Sequence, residues 1–213
     1  MYLSKYQIDI RSRAGRQLLS SNNRQPLHQV VLGKLFGEDA ATHHILFRVT
    51  GQNLYVQSDI PPKYVVDGLT LIYTNERDSS IQALKVGDVI RFNLMAMPVK
   101  SISQPRQEDG SKPRGKRIFL ATPEERMDWL YQKGGQGGFL LLSGTEARKT
   151  SYGFRRPTEK GGSFRLPFTE FAGQMKITDP KAFYKTIQEG IGPERSFGCG
   201  LLFILSHNIV NIV

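Results

Sequence analysis

One order of elements constrains this chain more than any other feature: strand, helix, two strands, helix, strand, run through twice along 213 residues. In the first run, residues 2–10 form a strand with period-two apolar spacing. Residues 27–36 form a helix, with Pro26 suited to its first position and Gly37 to its stop. Residues 45–50 and 54–58 are strands joined by the hairpin signal Gly51-Gln52-Asn53. A weakly marked element at 63–66 and a strand at 89–97 close this half. Residues 101–116 hold Ser, Pro, Gly, Gln and charged residues with few apolar ones, the composition of a linker or loop.

The second run starts with a strand at 117–120. Thr122-Pro123-Glu124-Glu125 opens a helix with an N-cap Thr, Pro next to it and Glu three residues on, and Gly134-Gly135 ends it. Residues 139–142 are a strand and 144–163 a basic, Gly-rich excursion. Phe164, Leu166 and Phe168 alternate, and Ala172-Gly173 turns the chain towards Met175 and Ile177 as a hairpin. Asp179-Pro180 starts a helix with Phe183, Ile187 and Ile191 on one face. Residues 190–200 are a loop, and 201–205 a continuously apolar strand, central in its sheet. The expected class is α+β: two tandem ferredoxin-like βαββαβ domains, residues 1–100 and 117–213, joined by the basic segment 101–116.

The longest apolar run, 201–205, is far short of the roughly 20 residues of a spanning helix, so no membrane role is expected. The opening MYLSKYQIDIRSR lacks a secretory signal, which points to the cytoplasm. A single cysteine, Cys199, excludes an internal disulfide and a cysteine-based zinc site. The charge is uneven. Residues 1–24, 100–117 and 148–165 together carry 17 basic and four acidic side chains, net +13, against −3 for the rest. Such patches suit a polyanion, because each neutralised phosphate releases counterions; basic solvated loops are the plainer explanation.

Four histidines are present, none at metal-ligand spacing, and neither GxxxxGKS, GxGxxG nor GxSxG occurs. His28 stands apart because it lies in the first turn of a helix, where the macrodipole disfavours an imidazolium. A neutral imidazole there can accept a proton as a general base. On the helical wheel it also lies among Leu27, Val31 and Leu35, the setting of a satisfied core histidine and, on the residues alone, the plainer reading. Gly190, Gly192, Gly198 and Gly200 make the loop that contains Arg195 and Ser196 able to approach a phosphate closely; tight helix-to-strand packing would need the same glycines. No RRM stacking signature is present, so basic loops gripping a structured RNA by its phosphates fit better than base stacking.

Several short segments, in order, resemble one family. They are Met1-Tyr2-Leu3-Ser4-Lys5, Leu27-His28-Gln29, Pro98-Val99-Lys100, Gly115-Lys116-Arg117, Thr122-Pro123, Trp129-Leu130, Phe171-Ala172-Gly173 and Asp179-Pro180. The most specific is Gly190-Ile191-Gly192-Pro193 through Ser196, followed by Gly198-Cys199-Gly200-Leu201-Leu202. Together they are similar to the CRISPR-associated CasE endoribonucleases of type I-E systems. The resemblance implies two ferredoxin-like domains and a role in antiviral defence. It implies cleavage of CRISPR repeat RNA beside a short hairpin, without metal or small-molecule cofactor. By that resemblance the 2′-hydroxyl upstream of the scissile phosphate is expected to attack in line, leaving a cyclic phosphate and a 5′-hydroxyl, and the product is expected to stay bound among the other subunits of a type I-E surveillance complex.

Residue by residue, the family's catalytic histidine falls on His28 and its tyrosine, three positions earlier, on Gln25. An amide can hydrogen-bond a phosphate but does not readily relay a proton. The family's Arg-x-Asn-Pro is here Met95-Ala96-Met97-Pro98. By the family's layout Arg148, Lys149, Arg155, Arg156 and Lys160 grip the RNA stem. Lys112, Arg114, Lys116 and Arg117 add phosphate contacts, and Arg195 with Ser196 lies near the cut. A non-catalytic RNA-hairpin-binding subunit is the second reading, kept open by Gln25. A protein–protein scaffold leaves the three basic patches without a purpose.

Overall fold

Tyr2–Ile8 (β1) turns Ser4, Tyr6 and Ile8 inward and the residues between them outward, the period of a half-buried strand. The computed structural model describes residues 1–103, 115–155 and 162–208, with side chains throughout except at 39 and 206–208. After β1 come two short helices, Arg13–Leu18 (α1) and Gln25–Gln29 (α2), the second running on into a π-turn at Val30–Lys34. Ile45–Thr50 (β2), Asn53–Ser58 (β3) and Leu69–Glu76 (β4) complete a four-stranded sheet of order β2-β3-β1-β4. Gly51, at φ +58°, takes the first central position of the β2–β3 turn, where one of the two-residue hairpin types requires glycine.

The second sheet has the order β10-β5-β9-β8. Its strands are Val89–Ala96 (β5), Phe139–Arg155 (β8), Ser163–Ile177 (β9) and Leu202–Asn208 (β10). Asp78–Gln82 (α3) precedes β5, and Pro123–Gly137 (α4) and Pro180–Glu189 (α5) cover one face. Both sheets are antiparallel with the strand order of a ferredoxin-like unit, so the expected tandem pair is present. In the first unit the loop 59–68 replaces the second helix.

Several sequence expectations need correction. The strand at 89–97 was assigned to the first half, yet β5 pairs with β9 and β10 as an inner strand of the second sheet. The first unit therefore closes with β4, and the second opens at β5. The expected boundary at 101–116 does not separate the two units: Val99–Ile102 (β6) and Lys116–Phe119 (β7), which include its described ends, pair antiparallel with each other after β5 has already opened the second unit. The Ala172-Gly173 turn is absent. β9 runs straight through, with Thr145↔Ala172 and Gly144↔Gly173 in register, and a Cβ on Gly173 would come 2.0 Å from the Ser143 carbonyl oxygen. The glycine admits a neighbouring strand rather than reversing the chain. The excursion at 144–163 is mostly strand, since β8 and β9 form one long hairpin.

The caps explain where the helices sit. Thr122 and Glu125 form a reciprocal capping box at α4, and the Asp179 carboxylate accepts from the Lys181 and Ala182 amides at α5. α4 passes Gly134-Gly135 and stops at Gly138, whose φ of +75° is left-handed. Two main cores result. One joins Ile8, Val31, Leu35, Phe47 and Leu54; the other joins Phe92, Leu130, Phe139, Phe171, Phe183 and Ile187. A third cluster of Met95, Phe154, Phe168 and Cys199, flanked by Met97, Tyr152, Phe164 and Phe197, lies beneath the long hairpin. Met95 and Met97 thus pack into the interior.

Candidate active site

The approach to His28 is set by the free edge of β8. Gly153 donates its amide to the Ser21 carbonyl at 2.9 Å, and Arg24 donates its own to the Gly153 carbonyl at 2.8 Å. The segment before α2 is therefore stitched to the second unit like an added strand. A Cβ at position 153 would lie 2.3 Å from the Asn22 carbonyl oxygen, so only glycine fits this approach. Asn23 Oδ1 then accepts from the Gln25 amide at 3.2 Å, Pro26 enters the first turn, and the His28 amide closes it on Arg24. Beyond, the Leu35 amide reaches back to Val30, a π-turn of the sort often found next to functional residues.

His28 is half-buried, and its Nδ1–H donates to the carbonyl oxygen of Ser196 at 2.6 Å. A carbonyl only accepts, so Nδ1 carries a proton, and in the neutral ring the lone pair is then on Nε2. Nε2 has no hydrogen-bond partner among the described residues. The ring also stacks on Phe197, with centroids 5.2 Å apart and planes 19° from parallel. Phe197 is wedged edge-on against Phe154 at 4.6 Å and Phe164 at 6.0 Å, a pair facing each other near the end of the β8–β9 hairpin. One hydrogen bond and one ring contact together fix the imidazole's orientation and tautomer. The ring is anchored at one nitrogen and one face, and among the described residues its second nitrogen is unused.

The loop that supplies Ser196 and Phe197 is built for packing. Gly190, Gly192, Gly198 and Gly200 all have φ between +76° and +90°. A Cβ at Gly198 would meet Phe47 at 3.0 Å and one at Gly192 would meet Trp129 at 3.1 Å, each with the added strain of a left-handed backbone. Ile191 donates to Gly200 at 2.9 Å and Gly200 to the Met95 carbonyl at 2.7 Å. The Cys199 thiol donates to the Pro193 and Glu194 carbonyls, and burial pushes its pKa far up. Arg195 Nε–H closes back on the Gly192 carbonyl at 3.0 Å. The glycines thus brace a loop whose product is a fixed carbonyl at Ser196.

Alternation along β8 splits the basic residues between two faces. Lys149 and Arg155 point one way: the Lys149 ammonium lies 5.6 Å from the ring centre of Phe119 on β7, where Arg117 shares the face of Phe119 and Lys116 takes the opposite one. Arg117 pairs with Glu194 at 3.2 Å, next to the loop that holds His28. Arg165, on β9 opposite Gly153, joins this face through the Ser151 carbonyl. Arg148 points the other way and pairs with Glu170 at 3.6 Å. Lys112, Arg114, Arg156 and Lys160 lie outside the described residues.

Sequence reasoning overlooked Arg24, Tyr152, Arg165 and Phe197. Arg24 and Arg165 were present only as part of a charge count, whereas Phe197 carries no signal until the fold brings it to His28. Among the described residues, no group of three or more His, Cys, Asp or Glu side chains is placed to hold a metal ion. No described helix is long and apolar enough to cross a membrane.

The family model described as "CRISPR associated protein" matches residues 1–205. The CRISPR-associated endoribonuclease Cse3 of Thermus thermophilus is 32% identical over 131 residues, which spans 57% of this chain and 58% of that relative. The CRISPR system Cascade subunit CasE of Escherichia coli K12 is 28% identical over 211 residues, covering 95% of this chain and 98% of that one. A solved structure of CRISPR endoribonuclease Cse3 bound to a 19-nucleotide RNA superposes with a TM-score of 0.77 at 25% identity, over 96% of this chain and 98% of the other. From the paired sheets to the loop that carries Ser196, the chain belongs to the CRISPR-associated CasE family.

Proposed function

We propose that this protein is an endoribonuclease that cuts CRISPR repeat RNA beside a hairpin, with His28 as the proton-transfer residue and no metal in the mechanism. The observation that carries the reading is the bond from His28 Nδ1–H to Ser196, because it leaves Nε2 as an oriented base. Nε2 takes the proton of the 2′-hydroxyl on the nucleotide before the cut. That oxygen attacks the adjacent phosphorus, the bond to the 5′-oxygen breaks, and a 2′,3′-cyclic phosphate forms. Gln25, one turn before His28, can hydrogen-bond a non-bridging phosphate oxygen but holds no proton to give. The departing 5′-oxygen then takes its proton from solvent. The face with Arg117, Lys149, Arg155 and Arg165 grips the stem by its phosphates. We further infer that the product remains bound within a multi-subunit surveillance complex, as the name of the Escherichia coli relative suggests, and that the protein works in the cytoplasm.

A second reading, an RNA-hairpin-binding subunit without activity, is favoured by one feature: Gln25 stands where the family has tyrosine. Single-turnover cleavage of the cognate repeat RNA in EDTA separates the two. Cleavage by the wild type, lost with His28→Ala and with 2′-deoxy substitution before the cut, is the expected result. Tight binding with no cleavage by the wild type would establish the inactive reading.

A further inference from the structure

On the face of β8 away from Lys149, a cleft of about 680 Å³ opens between the β2–β3 turn and the long hairpin. Its walls include Arg24, Arg48, Thr50, Arg148, Tyr152 and Glu170. Three guanidinium groups share this space with one carboxylate. Glu170 pairs with both Arg48 and Arg148, and Asn93 also accepts from Arg48. Arg24 has no carboxylate partner among the described residues. Its guanidinium instead lies over the Tyr152 ring at 4.1 Å, and that ring is steadied by Phe168 at 5.7 Å.

Among the described residues Arg24 Nε and Arg48 Nε are buried donors without a hydrogen-bond partner, shielded in the cleft wall, so what these guanidiniums offer the cleft is charge rather than this N–H. Burial lowers the pKa of both arginines, opposed by Tyr152 at Arg24 and by Glu170 at Arg48. A buried cation without a counter-ion is costly, and an anion brought in from outside offsets that cost. Arg24 lies one helical turn before His28, whose amide bonds the Arg24 carbonyl, so the cleft adjoins the candidate catalytic residue.

We propose that this cleft binds the backbone phosphates of the single-stranded RNA flanking the hairpin. Arg24 and Arg148 supply the contacts, and Arg48 supplies fixed positive charge. The inference rests on the RNA-processing reading above. It separates the RNA's two parts in space: the stem lies on the Lys149 face of β8 and the single strand on the Arg148 face. Guanidinium suits this role because its planar fork matches a phosphate.

The test is binding of three RNAs by the full chain across a salt series: the hairpin alone, with a 5′ single-stranded flank, and with a 3′ flank. Each carries 2′-deoxy before the cut to prevent cleavage. One flank should raise wild-type affinity and steepen the salt dependence, by about 0.7 in slope for each phosphate held. Which flank does so identifies the strand. Arg24→Gln and Arg148→Gln should each remove about tenfold of the flank-dependent gain, the scale of one charge-assisted hydrogen bond. Arg148 is 62% exposed, so its variant tests the idea even if Arg24→Gln disturbs packing on Tyr152. An unchanged flank-to-hairpin affinity ratio in both variants, or no effect of either flank on the wild type, overturns the proposal while leaving the endoribonuclease reading intact. Failure of the wild type to bind the hairpin at all overturns both.

Discussion

The imidazole of His28 and the carbonyl of Ser196 are 168 residues apart in the chain and 2.6 Å apart in the fold. That single bond connects the first ferredoxin-like unit to the Gly-rich loop of the second. It also selects which ring nitrogen can act as a base.

His28→Gln should lower single-turnover cleavage by about 10²- to 10⁴-fold, the usual contribution of a positioned general base. Affinity for the uncut hairpin should change less than twofold, because the stem contacts proposed above do not include His28. A parallel loss of binding would mean that His28 holds RNA rather than moving a proton.

Phe197 positions His28 through its ring face. Phe197→Leu keeps apolar volume but loses the stack, and should lower the cleavage rate by about three- to tenfold, in line with roughly 0.5–1.5 kcal/mol for an aromatic pair. Phe197→Tyr should restore most of that rate, with hairpin affinity equal in all three proteins. Equal rates for the leucine and tyrosine variants would rule out the orienting role.

Gly153→Ala should push the Ser21–Arg24 segment off the edge of β8. A methyl group has no room beside the Asn22 carbonyl, so a loss of about 1–3 kcal/mol in unfolding free energy is expected. Cleavage should fall as well, since the same segment leads into α2. Denaturant unfolding together with single-turnover kinetics reads both effects; a silent variant would show that the edge pairing does not hold the site.

The Glu125 carboxyl accepts hydrogen bonds from the Thr122 and Ala121 amides and from Lys100, and these hold its pKa below the usual glutamate value. A depressed folded pKa means that its stabilisation is fully present above the unfolded value, about 4.3, and is lost as pH falls through the folded one. Glu125→Gln should therefore flatten the fall of the unfolding midpoint below about pH 4, measured by thermal melts in parallel with the wild type. Identical acid profiles would remove Glu125 from the cause.

Local signals placed much of the scaffold. Thr122-Pro123-Glu125 marks α4, Asp179-Pro180 marks α5, and Gly51 marks the β2–β3 turn, because a cap or a tight turn is an interaction within a few residues. β4 escaped notice because it is largely exposed, with Leu71 and Ile72 both about half accessible, and its pattern shows no buried alternation. Gly173 was misread because a glycine that admits a neighbouring strand has the same sequence signature as one that turns.

The sequence by itself determined the two-unit class, most of the caps and turns, the histidine and the excess of positive charge. The tertiary structure alone decided that β5 belongs to the second sheet and that Ser196 selects the tautomer of His28. It also decided that Phe197 faces the imidazole, and that Arg148 and Lys149, adjacent in sequence, serve opposite faces of one strand. Strand pairing and ring contacts join segments that no local propensity links, and the strand's two-residue period then sends neighbouring charges to different surfaces.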